Sequence, residues 1–398
     1  MKKIKMRVFS LLLAAILLLG SAVVVGAADS AALPITSEGQ ETIGTDALGT
    51  LACRSAILMD AATGQVLFEQ NPDEALPPAS VTKVMTLLLV MEAIDSGKLS
   101  LSDMVSVSAH AASMGGSQVY LKEGETMSVE EMLKCVIIAS ANDCAVALAE
   151  HVAGSEEAFV GAMNARAAAL GMQNTHFENT NGLDDTASNH VTSARDIAIM
   201  SRELIAHEKI LQYSGIWMDT IRNGAFGLTN TNRLVRFYRG CTGLKTGSTA
   251  RAKFCISATA ARDGLSLICV VMAADTRDAR NSIAAKLLDF GFATYSTYRH
   301  DGGSITLPVK GGVMPSVALA YQPFSATVVK GASGNVEAAL QLPESLEAPV
   351  AGGSEVGQIL YLLDGKEIGR VPIVATENVD KISFGTLFWR ILQQFLLL

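Results

Sequence analysis

With 398 residues, 49% of them apolar and 18% charged, the chain is long enough for two or three domains and has ample material for a buried core. Setting aside Lys2, Lys3, Lys5 and Arg7 at the extreme N-terminus reduces 31 basic residues to 27 against 39 acidic ones, about −12 net. That balance argues against a nucleic-acid partner.

Residues 1–28 read as a secretory signal, with a basic start, an apolar run from Val8 to Val25 and small residues at Gly26, Ala27 and Ala28. The run is longer than a usual signal core, so an uncleaved anchor is the alternative; on either reading the remainder leaves the cytoplasm. Residues 29–49 form a polar linker. Two strand-like runs follow, Arg54 to Asp60 and Gln65 to Gln70, joined by Ala-Ala-Thr-Gly as a hairpin.

Pro77 and Pro78 then lead into Ser80, Val81, Thr82, Lys83 and a long apolar stretch. Prolines suit the approach to a helix and Gly97 suits its end, so the pattern predicts a helix from about Ser80 to Asp95. Ser80 and Lys83, three residues apart on one helical face, place a hydroxyl beside an amine. Alone, that spacing is as well read as a capped helix with a solvated lysine.

Ser128 with Glu131 forms a capping box for a helix to about Ala139, which delivers Ser140, Ala141 and Asn142 at its end. Helices are expected at Asp143 to Val152, Ser155 to Leu170 and Ser193 to His207, with Phe177 to Leu183 as a loop. Strands then take over at Thr242 to Thr249, Lys253 to Ala261 and Leu265 to Ala274, the last two joined by a turn at Asp263 and Gly264. A helix from Asn281 to Tyr298 ends this section. Strands at both chain ends with helices between them predict one sheet covered by helices, an α/β (α+β) domain over residues 50–300.

From residue 301 to 375 short β runs alternate with Gly, Pro and Ser, as in a small β-sandwich: Ile305 to Val309, Ala326 to Val329, Ala338 to Leu342, Gln358 to Leu363 and Glu367 to Pro372. Residues 376–398 end in an amphipathic helix. Phe384, Leu387, Phe388, Ile391, Leu392, Phe395 and Leu398 share one face and Trp389 lies at its border, a pattern for the plane of a membrane surface. Six cysteines show no paired spacing and six histidines are scattered, so neither a metal site nor a cofactor is expected; disulfides are left open.

Three short motifs, Ser80-Val-Thr-Lys83, Ser140-Ala-Asn142 and Lys245-Thr-Gly247, occur in the order and spacing seen in penicillin-recognising serine enzymes. Ala56 to Asp60 with Thr63 and Gly64, Phe177 to Leu183, Asn230 to Arg233 and Leu360 to Ala375 extend the resemblance to the low-molecular-weight D-alanyl-D-alanine carboxypeptidases, over roughly residues 50 to 398. The resemblance implies a β-lactamase/penicillin-binding transpeptidase-like domain and an exported enzyme at the outer face of the cytoplasmic membrane. Its substrates would be peptidoglycan stem peptides ending in D-Ala-D-Ala, with β-lactams as covalent inhibitors. It also implies roles: Ser80 attacks, Lys83 takes the proton, Ser140 relays it, and Asn142 holds the substrate amide. Backbone N–H groups of Ser80 and Ser248 form the oxyanion hole, and Lys245 and Thr246 bind the terminal carboxylate beside Gly247, helped by Arg280.

A lysine at its ordinary pKa of about 10.4 costs about 4.6 kcal/mol to neutralise at pH 7, so burial or a neighbouring cation must lower it. Asn181 stands where several relatives carry histidine, which bears on deacylation. Two alternatives have a different outcome. A β-lactamase needs a glutamate for the deacylating water, and Glu178 with Asn181 has the wrong spacing; a non-turnover penicillin-binding receptor would be acylated once.

Overall fold

A computed structural model describes residues 48–184 and 187–396; the leader expected at 1–28 and nearly all of the 29–49 linker lie outside these. Its central sheet is built from both ends of the first section. Strands β1 (Ser55–Asp60) and β2 (Val66–Gln70) form the early hairpin, and β3 (Cys241–Thr249), β4 (Lys253–Arg262) and β5 (Leu265–Ala274) come from the far end. The order is β2-β1-β5-β4-β3, with every neighbour antiparallel and Leu58 of β1 opposite Cys269 of β5. Asp263 (φ 49°) and Gly264 (φ 81°) both take positive φ in the β4–β5 turn, as a twisted two-residue hairpin requires.

Alternation along these strands feeds two cores, one on each face. Ile57, Met59, Ile268, Val270 and Met272 pack on one side against α1 (Lys83–Asp95) and the helices that follow. Leu58, Leu67, Ile256, Leu267 and Val271 pack on the other against Ile283, Leu287 and Leu288 of a long helix near the end of the section. Removing each of these large side chains from water contributes about 1.5–3 kcal/mol. Nine of the 13 residues of α1 are buried, including Lys83, because the helix is apolar nearly all round and threads the core.

The helical layer continues with α2 (Val129–Lys134), α3 (Asn142–Ala153), α4 (Glu156–Ala169) and α5 (Ala194–Ala206). Helix α6 spans Arg277–Thr294 and not the expected Asn281 to Tyr298. Its start is set by Thr276, whose hydroxyl accepts the Ala279 N–H at 3.0 Å. Its end gives way to β6 (Tyr295–His300), whose strand-favouring Tyr and Thr side chains pair with β9 (Phe324–Val329).

In the β region, β7 (Gly303–Lys310), β8 (Ser316–Tyr321), β10 (Val336–Gln341), β11 (Leu346–Glu347), β12 (Glu355–Leu363) and β13 (Lys366–Ala375) form a second sheet of order β10-β12-β13-β8-β7-β11. Its core is Val317, Leu319, Ile359, Tyr361 and Ile373. A last helix, α7 (Phe384–Leu396), buries none of its residues.

Candidate active site

Ser80 lies in a tight 3-10 turn, Ala79–Thr82, and Lys83 opens α1, so the nucleophile precedes the regular helix instead of starting it. Lys83 is fully buried, and its Nζ stands 3.0 Å from Ser80 Oγ, 2.6 Å from Asn142 Oδ1 and 2.8 Å from the Asn181 carbonyl. Two of these three partners can only accept. An uncharged amine has two hydrogens and one lone pair, which fits them: the hydrogens serve Asn142 and Asn181, and the lone pair faces the Ser80 hydroxyl. Burial holds the Lys83 pKa well below the usual lysine range; the charge of Lys245 pushes the same way and that of Asp143 opposes.

Ser140 is presented differently. Ser128 Oγ caps α2 by accepting the Glu131 N–H at 3.2 Å, but the Glu131 carboxylate turns to the Arg222 N–H, so the expected capping box is only half made. The helix then widens into a π turn, Cys135–Ala139, and Ser140 ends it in the left-handed region at φ 65°. Such widened turns and held conformations recur at functional sites. Ser140 Oγ receives a hydrogen bond from Lys245 Nζ at 2.7 Å.

Lys245, Thr246 and Gly247 sit on β3, the sheet edge beside the nucleophile turn. Lys245 is buried and also donates to its neighbour's carbonyl at 3.0 Å; burial first, then the charge of Arg280, lowers its pKa to about 7. Thr246 donates its hydroxyl to Thr231 Oγ1 at 2.8 Å. A Cβ on Gly247 would lie 2.7 Å from the Pro78 carbonyl and 2.8 Å from the Ser80 nitrogen, so only glycine lets the strand approach this closely. Ser248, next along β3, is exposed.

The structure thus joins Ser80, Lys83 and Asn142 in one network and Ser140, Lys245 and Thr246 in a second beside it. Arg280 belongs to neither by contact. It is buried, and its guanidinium donates to Asn281 Oδ1 at 2.9 Å and to the Cys255 carbonyl at 3.4 Å, reaching the site only through its charge on Lys245.

Several partners escaped the sequence reading. The Asn181 carbonyl is aimed at Lys83 because Asn179 Oδ1 accepts the Gly182 N–H at 2.7 Å and Gly182 (φ 84°) packs against Ala79, where a Cβ would clash. The Asn181 side chain points elsewhere, accepting the Leu183 N–H at 2.9 Å. Thr82 donates to the Ala79 carbonyl and meets His190 Nε2 at 2.7 Å, while His190 Nδ1 accepts the Glu178 N–H; burial lowers the His190 pKa to about 4, so the ring is neutral. A backbone carbonyl has no sequence signature, and a lone histidine has little. All six cysteines are free, and among the described residues no cluster could hold a metal ion.

A serine hydroxyl facing a buried, neutral-leaning lysine, on a helix-covered antiparallel sheet, defines the active-site serine enzymes that penicillin acylates. Comparison with known proteins narrows this. Residues 40–276 match the D-alanyl-D-alanine carboxypeptidase family and residues 294–381 the penicillin-binding protein 5 C-terminal domain. D-alanyl-D-alanine carboxypeptidase DacF of Bacillus subtilis is 43% identical over 345 residues, 85% of this chain and 88% of that protein. DacC of Escherichia coli is 38% identical over 348 residues, 84% of this chain and 86% of that protein. Penicillin-binding protein 5 of Haemophilus influenzae superposes with a TM-score of 0.74 at 32% identity, covering 83% of this chain and 98% of that one. The chain belongs to the D-alanyl-D-alanine carboxypeptidase family of serine peptidases.

Proposed function

We propose that this chain removes the terminal D-alanine from peptidoglycan stem pentapeptides through an acyl-enzyme on Ser80. The observation that carries the reading is the Lys83 amine, buried and 3.0 Å from Ser80 Oγ, with acceptors already occupying its hydrogens. Its lone pair takes the serine proton as Oγ bonds to the penultimate carbonyl carbon, and proton transfer of this kind contributes about 10²- to 10⁴-fold. The C–N bond to the last alanine breaks as Ser140 passes a proton to the leaving amine, and water then releases the acyl group. Backbone N–H groups of Ser80 and Ser248 face the developing oxyanion, each worth on the order of 10²-fold or more.

Asn142 binds the substrate amide with the second hydrogen of its Nδ2. Lys245 and Thr246 receive the terminal carboxylate, and Arg280 tunes Lys245 from behind. β-Lactams, whose strained amide mimics this bond, acylate the same serine. The signal-like residues 1–28 support export, and the exposed apolar face of α7 supports attachment at the outer face of the cytoplasmic membrane. Glu178, the glutamate a β-lactamase reading would use, accepts the Asn189 N–H instead.

Incubation with a diacyl-Lys-D-Ala-D-Ala tripeptide is expected to give sustained D-alanine release, and Ser80→Ala to abolish both release and labelling by a fluorescent penicillin. One equivalent of D-alanine per protein would make it a receptor, and labelling of the Ser80→Ala variant would remove Ser80 from its role.

A further inference from the structure

Outside the three motifs, we infer that Asp143 is a positioning residue for acylation: through the loop 115–121 it fixes the orientation of the Asn142 side-chain amide against Lys83. The inference rests on the roles of Ser80 and Lys83 given above. Asp143 follows Asn142 in the first turn of α3 and is fully buried. Its carboxylate accepts four contacts from peptide N–H groups: Val119 at 3.3 and 3.1 Å on its two oxygens, Leu121 at 3.1 Å and Cys144 at 2.9 Å. Hydrogen bonds to a charged group are stronger than those between neutral groups, so three N–H groups converging on one carboxylate fix the path of a short loop.

The same loop grips the preceding residue. Asn142 Nδ2 donates to the Gly115 carbonyl at 2.7 Å, and the Asn142 backbone N–H to the Ser117 carbonyl at 2.7 Å. Between the two peptides that Asp143 anchors, Tyr120, an exposed residue, is held at φ 59°, a conformation a tyrosine does not choose unaided. From the outer side Arg222, itself paired with Glu125, donates to the Val119 carbonyl at 2.8 Å. The N–H groups of Val119 and Leu121 therefore face an anion, and the Val119 carbonyl faces a cation.

What this achieves is a choice of amide face. With one Nδ2 hydrogen taken by Gly115, Asn142 presents Oδ1 to Lys83 at 2.6 Å. Were the loop free to shift, the amide could turn and offer its NH₂, which would claim the lysine lone pair that Ser80 needs. The charge of Asp143 acts in the opposite sense, since an anion near Lys83 favours the ammonium. A purely electrostatic role would therefore make Asp143→Asn acylate no more slowly than the wild type, whereas a positioning role makes it slower.

The experiment is a double-mutant cycle in the full chain with Asp143→Asn, Asn142→Ala and both, reading the acylation rate with a fluorescent penicillin and kcat and KM with the tripeptide. Asp143→Asn should lose roughly 10- to 100-fold in acylation and kcat with KM little changed, the scale of a misplaced catalytic group, and the double variant should be no slower than Asn142→Ala. An Asp143→Asn rate equal to or above wild type, or losses that multiply in the double variant, overturns the inference. If Asp143→Asn does not fold, Arg222→Gln loosens the loop from outside with the carboxylate intact. It should give a smaller loss that vanishes in the Asn142→Ala background, and no loss from it overturns the inference equally. D-alanine release by the wild type tests the underlying function separately, because the cycle can be read on penicillin labelling alone.

Discussion

If Lys245 binds the substrate carboxylate and Lys83 acts as base, as proposed, the substrate's charge and the enzyme's proton depend on each other at Lys245. In the free enzyme burial and Arg280 lower its pKa to about 7, while Lys83 lies well below the usual lysine range. Lys83 must be neutral to act as base, so kcat/KM rises with pH until that proton is gone; Lys245 must be charged to attract a carboxylate, so kcat/KM falls again above about pH 7. A D-alanine-terminated peptide should show this bell, and its C-terminal amide should lack the alkaline fall. Arg280→Ala removes a cation, raises the Lys245 pKa and should move the alkaline limb to higher pH. Identical profiles for acid and amide would separate Lys245 from carboxylate binding. Residue by residue, Ser80, Lys83, Ser140, Asn142 and Lys245 could be named from the sequence because three short motifs occur together in a known order, although each motif alone admits a structural reading. The place of Arg280 was not, since its partners, Asn281 Oδ1 and the Cys255 carbonyl, depend on how α6 lies over the sheet.

The nucleophile turn and β3 approach each other at Gly247, where the nearest atoms to an added Cβ are backbone: Pro78 O at 2.7 Å, Ser80 N at 2.8 Å and Val81 N at 2.9 Å. Backbone cannot swing aside as a flexible side chain can, so Gly247→Ala must push β3 off the turn that carries Ser80. An overpacking cost of about 1–3 kcal/mol is expected in stability. Displacing an oxyanion-hole donor and the carboxylate site together should lower penicillin acylation by roughly 10²-fold or more. Urea unfolding and labelling kinetics check the two effects, and an unchanged acylation rate would mean the strand does not complete the site. At this scale the sequence was most legible where periodicity is strong: β1, β4 and β5 fall within a residue or two of expectation, as does α5. It was least legible where tertiary pairing overrides local pattern. Tyr295–His300 continues a helical stretch in sequence but becomes a strand because β9 is there to pair with it, and β8 was missed because its Ala-rich run has little strand character alone. The 3-10 turn at Ser80 and the π turn before Ser140 arise from packing around the site, which no single-residue propensity reports.

Across the whole molecule the sheet-and-helix region and the β region are tied by buried polar contacts as well as by chain continuity. Thr327 of β9 donates to the buried carboxylate of Asp60 at the end of β1 and lies 3.2 Å from Thr63 Oγ1. Helix α7 is held far less tightly: none of its residues is buried, and on its polar side Arg390 donates to the Val313 carbonyl, which leaves the apolar face turned outward. Thirteen residues at 1.5 Å each span about 20 Å, short of the ~30 Å hydrocarbon core, and among the described residues no helix is long and apolar enough to cross a membrane. Phe384, Leu387, Phe388, Ile391 and Phe395 are 43–84% exposed, the equivalent of about three fully exposed side chains; at about 1.5–3 kcal/mol for each equivalent, their burial in lipid contributes about 4.5–9 kcal/mol. A single myristoyl chain, with K of about 10⁴ M⁻¹, supplies about 5.5 kcal/mol and binds reversibly, so α7 provides attachment of the same order before any electrostatic contribution. Because none of the helix's own residues is buried and its side-chain contact is to Val313 of the β region, removing residues 381–398 should move the protein from the membrane pellet to the soluble fraction with D-alanine release unchanged. The measurement is fractionation of the full-length and truncated proteins, with activity assayed in each fraction. A truncated protein that still sediments would shift the anchor to an uncleaved leader or to another surface, and a truncated protein that loses activity would mean α7 supports the fold after all.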